Sequence, residues 1–215
     1  MARPKLPRKS TNIDMTAMCD VAFLLLSFFI LATKFKPQEA VPIQTPSSVQ
    51  KAKVPEKDVV LVSIAADGKV FLSVSEQERR KALVNELNTR RSLGLSATEV
   101  QLAASTPFFG TPFSQFKSSL AIPKDKYTGT TLPGIPAKDS TNNELYDWMN
   151  AVVTVYKGEK MNLMLKGDMN SKFPTFKNVI AAFKRTDLLK FQMITNPEGV
   201  PEDSELFRVG QKTAQ

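Results

Sequence analysis

A single acidic residue, Asp20, sits inside an otherwise apolar stretch that runs from Met15 to Thr33. A carboxylate in hydrocarbon costs about 2.5–3.5 kcal/mol even on the milder insertion scales, so an acid in such a place calls for a reason. The strictly uncharged part, Val21 to Thr33, has only about 13 residues, a length that also fits a buried helix or a signal-peptide core. Counted from Met15 the run has about 19 residues, and at ~1.5 Å per residue it makes about 28 Å of helix, close to the ~30 Å thickness of a bilayer's hydrocarbon. Lys34 and Lys36 follow, placed to carry their ammonium groups to the far interface.

Arg3, Lys5, Arg8 and Lys9 form a basic leader before the run. A cleaved signal peptide is the competing reading, but the exit through Ile30-Leu-Ala-Thr-Lys34 shows no convincing small-x-small cleavage site. The expectation is an uncleaved anchor: a cytoplasmic leader over 1–14, a transmembrane helix over 15–35, and everything after about residue 37 outside the inner membrane.

Thr16, Asp20, Ser27 and Lys34 are spaced by four, seven and seven, so they share one helical face, while Phe23, Phe28, Phe29 and Ile30 are expected to cover much of the remainder. A polar stripe in a membrane helix turns toward a bundle interior or a wet cavity, and with one helix in the chain the other helices must come from a partner. The alternative places Asp20 in the headgroup layer and lets Ser27 hydrogen-bond back to its own helix.

These residues resemble a known family. Ile13-Asp-Met-Thr-Ala-Met-Cys-Asp20-Val-Ala-Phe-Leu-Leu-Leu-Ser-Phe-Phe is similar to the start of the single membrane helix of ExbD/TolR proteins, where a Met-Thr-Pro run leads to an Asp-Val pair. Met15-Thr16 and Asp20-Val21 stand at the family's spacing. Ala17 stands where the family usually has Pro, which makes the helix start less sharply defined without removing the acid. The resemblance implies a small bitopic subunit that works with an ExbB/TolQ-like multi-span protein as a stator or motor driven by the proton-motive force. The family's membrane aspartate maps onto Asp20 and is taken as the proton carrier, with Thr16 and Ser27 as the supporting polar stripe. It also implies a homodimer, a TonB-like protein as a further partner, and transport across the outer membrane as the energised process. A passive envelope anchor, or a TolR-like envelope-integrity protein binding peptidoglycan or a periplasmic partner, is the alternative.

Beyond the helix, Pro37, Pro42, Pro46 and Pro55 punctuate residues 36–57, which read as an extended linker; about 20 such residues at ~3.1 Å each reach about 60 Å into the periplasm. Residues 58–200 read as one α+β domain with a mixed β-sheet packed by helices, followed by a tail over 201–215. Val59 to Ala65 and Lys69 to Val74 flank Asp67-Gly68 as a hairpin. Ser75 with Glu78 predicts a capping box for a helix carrying Ala82, Leu83, Leu87 and Leu93, with Gly94 as its stop; Thr141 with Glu144 predicts another for Leu145, Trp148, Met149 and Val152, ending near Gly158. Met161 to Lys166 reads as a strand, Pro174 as a helix start with Phe176, Val179, Ile180 and Phe183 on one face, and Phe191 to Thr195 as a returning strand. Leu165-Lys-Gly-Asp168 before that helix also resembles the family's periplasmic domain, so the likeness covers about 10–93 and 161–196.

Residues 95–140 are longer than the family's compact domain needs. Phe108, Phe109, Phe113 and Phe116 there either offer a docking surface for a TonB-like partner or peptidoglycan, or close over the domain's own core. Catalysis has little to stand on. The 215 residues hold no His and one Cys, Cys19, which excludes a His-based triad and an internal disulfide and argues against a zinc site. Gly68, Gly94 and Gly110 are isolated, so no phosphate loop is read, and no cofactor is expected. Glu76, Glu78 and Glu86 read as a solvated helix face. The net charge of +8 lies partly in the leader, and the remaining cations are scattered among acids, which argues against a nucleic-acid partner.

Overall fold

The hairpin is built as its sequence requires. Gly68 takes φ +85°, which a side chain resists, its N–H bonds the Ala65 carbonyl at 2.9 Å, and the Ala65 N–H returns a bond to Lys69. In the computed structural model, which describes residues 15–32, 39–49, 55, 57–138 and 143–198, this turn joins β2 (Val59–Ile64) to β3 (Val70–Val74). The chain divides into two units, Met1–Pro37 and Gln38–Gln215. The first contains α1 (Met15–Ala32), and all the other elements belong to the second.

A four-stranded mixed sheet forms the frame of the second unit, in the order β3-β2-β4-β5, where β4 is Asn162–Gly167 and β5 is Gln192–Met193. The hairpin pair is antiparallel, with Val62 opposite Leu72; β2 and β4 run parallel, with Val62 opposite Leu165; β5 adds parallel to β4. Central strands buried on both faces need apolar side chains nearly throughout, and Val60, Val62, Ile64, Leu163, Met164 and Leu165 supply them, all 3 % exposed or less.

Helices cover the sheet. α2 (Gln77–Arg91) buries Leu83, Val84 and Leu87, while Ala82, expected on that face, is exposed. α5 (Glu144–Val155) buries Leu145, Trp148, Met149 and Val152 at the spacing of one helical face. α6 (Phe173–Arg185), with Pro174 in its first turn, buries Val179, Ala182 and Phe183 and half-buries Phe176 and Ile180.

The caps correct the sequence reading. α2 starts after Glu76 with no side-chain cap, and Ser75 Oγ instead accepts the Val59 N–H at 3.0 Å, tying the helix approach to the neighbouring strand. Thr141 lies outside the described residues, and the Asn143 side chain caps α5 by accepting the Tyr146 N–H. The capping box that does form is Ser96 with Glu99, at the head of α3 (Ala97–Ser105) inside the long insertion.

That insertion is structured. It contributes α3, α4 (Phe113–Ser119) and a 3-10 turn over Lys124–Lys126. Phe109 pairs with Leu72 through two backbone bonds, so the insertion extends the β3 edge. Phe108, Phe109 and Phe116 are buried, and Phe113 is partly so. Phe109 and Phe113 stack on Trp148 at 4.7 and 5.7 Å between ring centres, and Phe116 tilts against it at 5.8 Å. Of the two roles the aromatics could have played, these side chains take the core.

Candidate functional site

The side-chain charge of α1 at neutral pH comes from one residue. The helix has 18 residues, about 27 Å at ~1.5 Å each, and Asp20 is its sole Asp, Glu, Lys or Arg. Its large apolar side chains are all exposed, and it is long and apolar enough to cross a membrane. A helix that is greasy all round is stable where lipid or a partner covers it.

Helical periodicity brings Thr16, Asp20 and Ser27 to one face, as the spacing predicts. Two details narrow the stripe. The Ser27 hydroxyl donates to the Leu24 carbonyl of its own helix at 2.9 Å. Phe23 stands three residues after Asp20 and four before Ser27, so it lies on this face and not on the remainder. Asp20 and Thr16 are exposed, with Cys19 exposed beside them. Lys34 and the basic leader lie outside the described residues.

Asp168, at the end of β4, is the second notable acid. It is 7 % exposed, and its carboxylate accepts two backbone bonds, from Asn170 N–H at 2.9 Å and from Gln44 N–H at 3.0 Å. These bonds, the one from Asn170 first, hold its carboxyl below the usual aspartate range. The Gln44 bond belongs to a strap. Residues 39–49, within the segment read as an extended tether, lie along the domain: Glu39 pairs with Lys166 at 2.7 Å, the Ala40 carbonyl accepts Gly129 N–H, and Met169 N–H bonds the Gln44 carbonyl. Thr45 is buried and donates to Asn196 Oδ1 at 2.8 Å. The strap finishes as β1 (Ser47–Ser48), parallel to β6 (Asn196–Pro197). No sequence periodicity marks it, because its partners lie 89 to 151 positions away.

Where the chain rejoins the sheet, Asp58 takes φ +54°, and its N–H donates to Glu76 Oε1 at 2.7 Å. The Tyr156 hydroxyl donates to Glu76 Oε2 at 3.4 Å, and Arg79 lies 4.9 Å over the Tyr156 ring while pairing with Glu159. Burial pushes the Glu76 carboxyl up, but the Asp58 bond and its neighbours outweigh it and hold it below its ordinary value. Burial first, then the Glu76 charge, raises Tyr156. Glu76 was read as part of a solvated face; it joins the start of α2 and the end of α5 to Asp58, the residue before β2. Glu78 is exposed and Glu86 pairs with Arg90, as that reading expected.

The insertion forms a partly open pocket of about 190 Å³, lined by Leu102, Thr106, Leu120, Ile122, Lys124 and Tyr127 among others. Burial pushes the Tyr127 hydroxyl up to about 12. Among the described residues no three His, Cys, Asp or Glu side chains gather to hold a metal ion.

The sequence model of the family described as "Biopolymer transport protein ExbD/TolR" matches residues 7–198. No curated protein and no solved structure matches the chain.

Proposed function

The chain belongs to the ExbD/TolR family, and from that premise we propose that it is the bitopic inner-membrane subunit of a motor driven by the proton-motive force. Its partner is an ExbB/TolQ-like multi-span protein whose helices enclose α1. Its N-terminus is cytoplasmic and its α+β domain periplasmic. The energised process is TonB-dependent transport across the outer membrane. The observation that supports this reading is Asp20, a lone acid in a helix of membrane-spanning length.

Asp20 suits proton transfer because its two charge states prefer different surroundings. The neutral acid tolerates a lipid-like surface, whereas the carboxylate needs water, a hydroxyl or a cation. A partner ring that offers both surfaces binds the two states differently, and that difference biases the position of the helix as the proton arrives and leaves. Thr16 stands four residues from Asp20 and Ser27 seven, so Thr16 is the nearer supporting group on the stripe.

Asp20→Asn tests the reading. It keeps size and polarity and cannot ionise, so uptake is lost while insertion and copurification with the multi-span partner remain. Full uptake in that variant would sink the motor and favour the passive anchor.

A further inference from the structure

We infer that the outer face of α6 is a docking surface for an anionic phospholipid bilayer. From Met169 to Thr186 the chain carries four cations, Lys172, Lys177, Lys184 and Arg185, and no acid. α2 carries more cations, Arg79, Arg80, Lys81, Arg90 and Arg91, but Glu78 and Glu86 stand among them, whereas the stretch that opens and forms α6 has no acid between Asp168 and Asp187. Arg185 lies 4.2 Å over the Tyr146 ring. The three lysines are exposed and form no ion pair among the described residues.

Helical spacing puts Phe173, Lys177, Ala181 and Lys184 in one exposed stripe, opposite the buried Val179, Ala182 and Phe183. Phe173 is 73 % exposed and Met169, in the preceding loop, 64 %. Lysines around an exposed aromatic are the composition of a helix that lies in a headgroup layer, the ring entering the acyl boundary and the ammonium groups meeting phosphates. An acidic peptide would recognise the same charge, but peptides bind in grooves or along strand edges, and this is a convex helix face.

Glu39 pairs with Lys166, and the Gln44 carbonyl accepts the Met169 N–H, so the strap runs beside the loop that opens α6. Six residues, 33 to 38, separate α1 from Glu39, and fully extended they span at most about 25 Å. The inference rests on α1 crossing a membrane and is independent of what Asp20 does there.

The test uses the full chain with Phe173→Trp in nanodiscs, the unsubstituted chain serving as the blank for Trp148. Acyl chains brominated near the headgroup quench an indole that touches them. In phosphatidylglycerol discs position 173 is quenched, and in phosphatidylcholine discs it is far less so. Each Lys→Gln exchange among Lys172, Lys177 and Lys184 weakens docking about fivefold, and the triple exchange about a hundredfold, with the thermal melt unchanged. Equal quenching in both lipids, quenching that survives the triple exchange, or preference of the face for soluble anionic wall fragments over lipid would overturn the inference. A chain inserted in the discs with position 173 unquenched would overturn it too, and would leave the membrane placement of α1 standing; failure to insert would sink both.

Discussion

The Asp168 carboxylate accepts the Gln44 backbone N–H at 3.0 Å across 124 positions of chain. Through this bond the end of a central strand holds a segment whose proline content reads as free tether. The same carboxylate closes its own turn through Asn170, so one side chain orders both the loop before α6 and the strap beside it.

Replacing Asp168 with Ala removes both acceptors. Amide exchange at Gln44 and Asn170 accelerates, while Val62 and Leu165 in the paired strands keep their protection, which site-resolved hydrogen exchange reads directly.

Acid has the same effect on the intact protein. A carboxyl held below its unfolded value, ordinarily 3.8, contributes stability above that value and loses it as pH falls through the folded one. Protection of the Gln44 amide, its exchange measured against the unfolded chain at the same pH, therefore holds from neutrality down to about pH 3.8 and falls below it. A flat profile through that window would show that the strap is held without this charge.

Gly129→Ala lifts the other end of the strap. A β-carbon there stands 2.2 Å from Val41 Cγ2 and 2.7 Å from the Ala40 carbonyl oxygen, closer than such atoms approach. Overpacking costs about 1–3 kcal/mol, so cleavage of residues 39–49 by a protease speeds up roughly five- to 150-fold, with the domain's melting midpoint little changed.

Ser96→Ala removes half of the capping box on α3 and costs about 1 kcal/mol in urea unfolding. Glu99→Gln costs less, because the amide oxygen still accepts the Ser96 N–H, which the carboxylate now takes at 2.8 Å.

Phe109→Ala costs about 3–5 kcal/mol, since the ring is 1 % exposed and stacks on Trp148. The near-ultraviolet dichroism of Trp148 falls with it. A loss below about 1 kcal/mol would mean that the aromatic cluster is not the insertion's core.

Where a local rule decides the outcome, the sequence was legible. Asp67-Gly68 admits one tight turn, and Leu145, Trp148, Met149 and Val152 repeat at a helical period, so both elements stand where their residues place them. Caps misled because a serine has several uses: Ser75 is spent on a neighbouring strand, while Ser96 does the capping. The strap was invisible for a different reason. Its partners, Asp168, Asn196 and Gly129, stand beside it only in the folded domain, and nothing in residues 39–49 alone encodes them. On α1 the sequence spacing already places Phe23 between Asp20 and Ser27, three residues after the one and four before the other.

A tug on the strap from the direction of Glu39 meets its fastenings in series: the Lys166 pair, the Gly129 bond, Asp168, and last the short ladder to Asn196 and Pro197. Undone completely, the eleven residues from 39 to 49 lengthen the leash by about 35 Å. The domain thus carries its own slack, coiled against its flank and drawn off stitch by stitch.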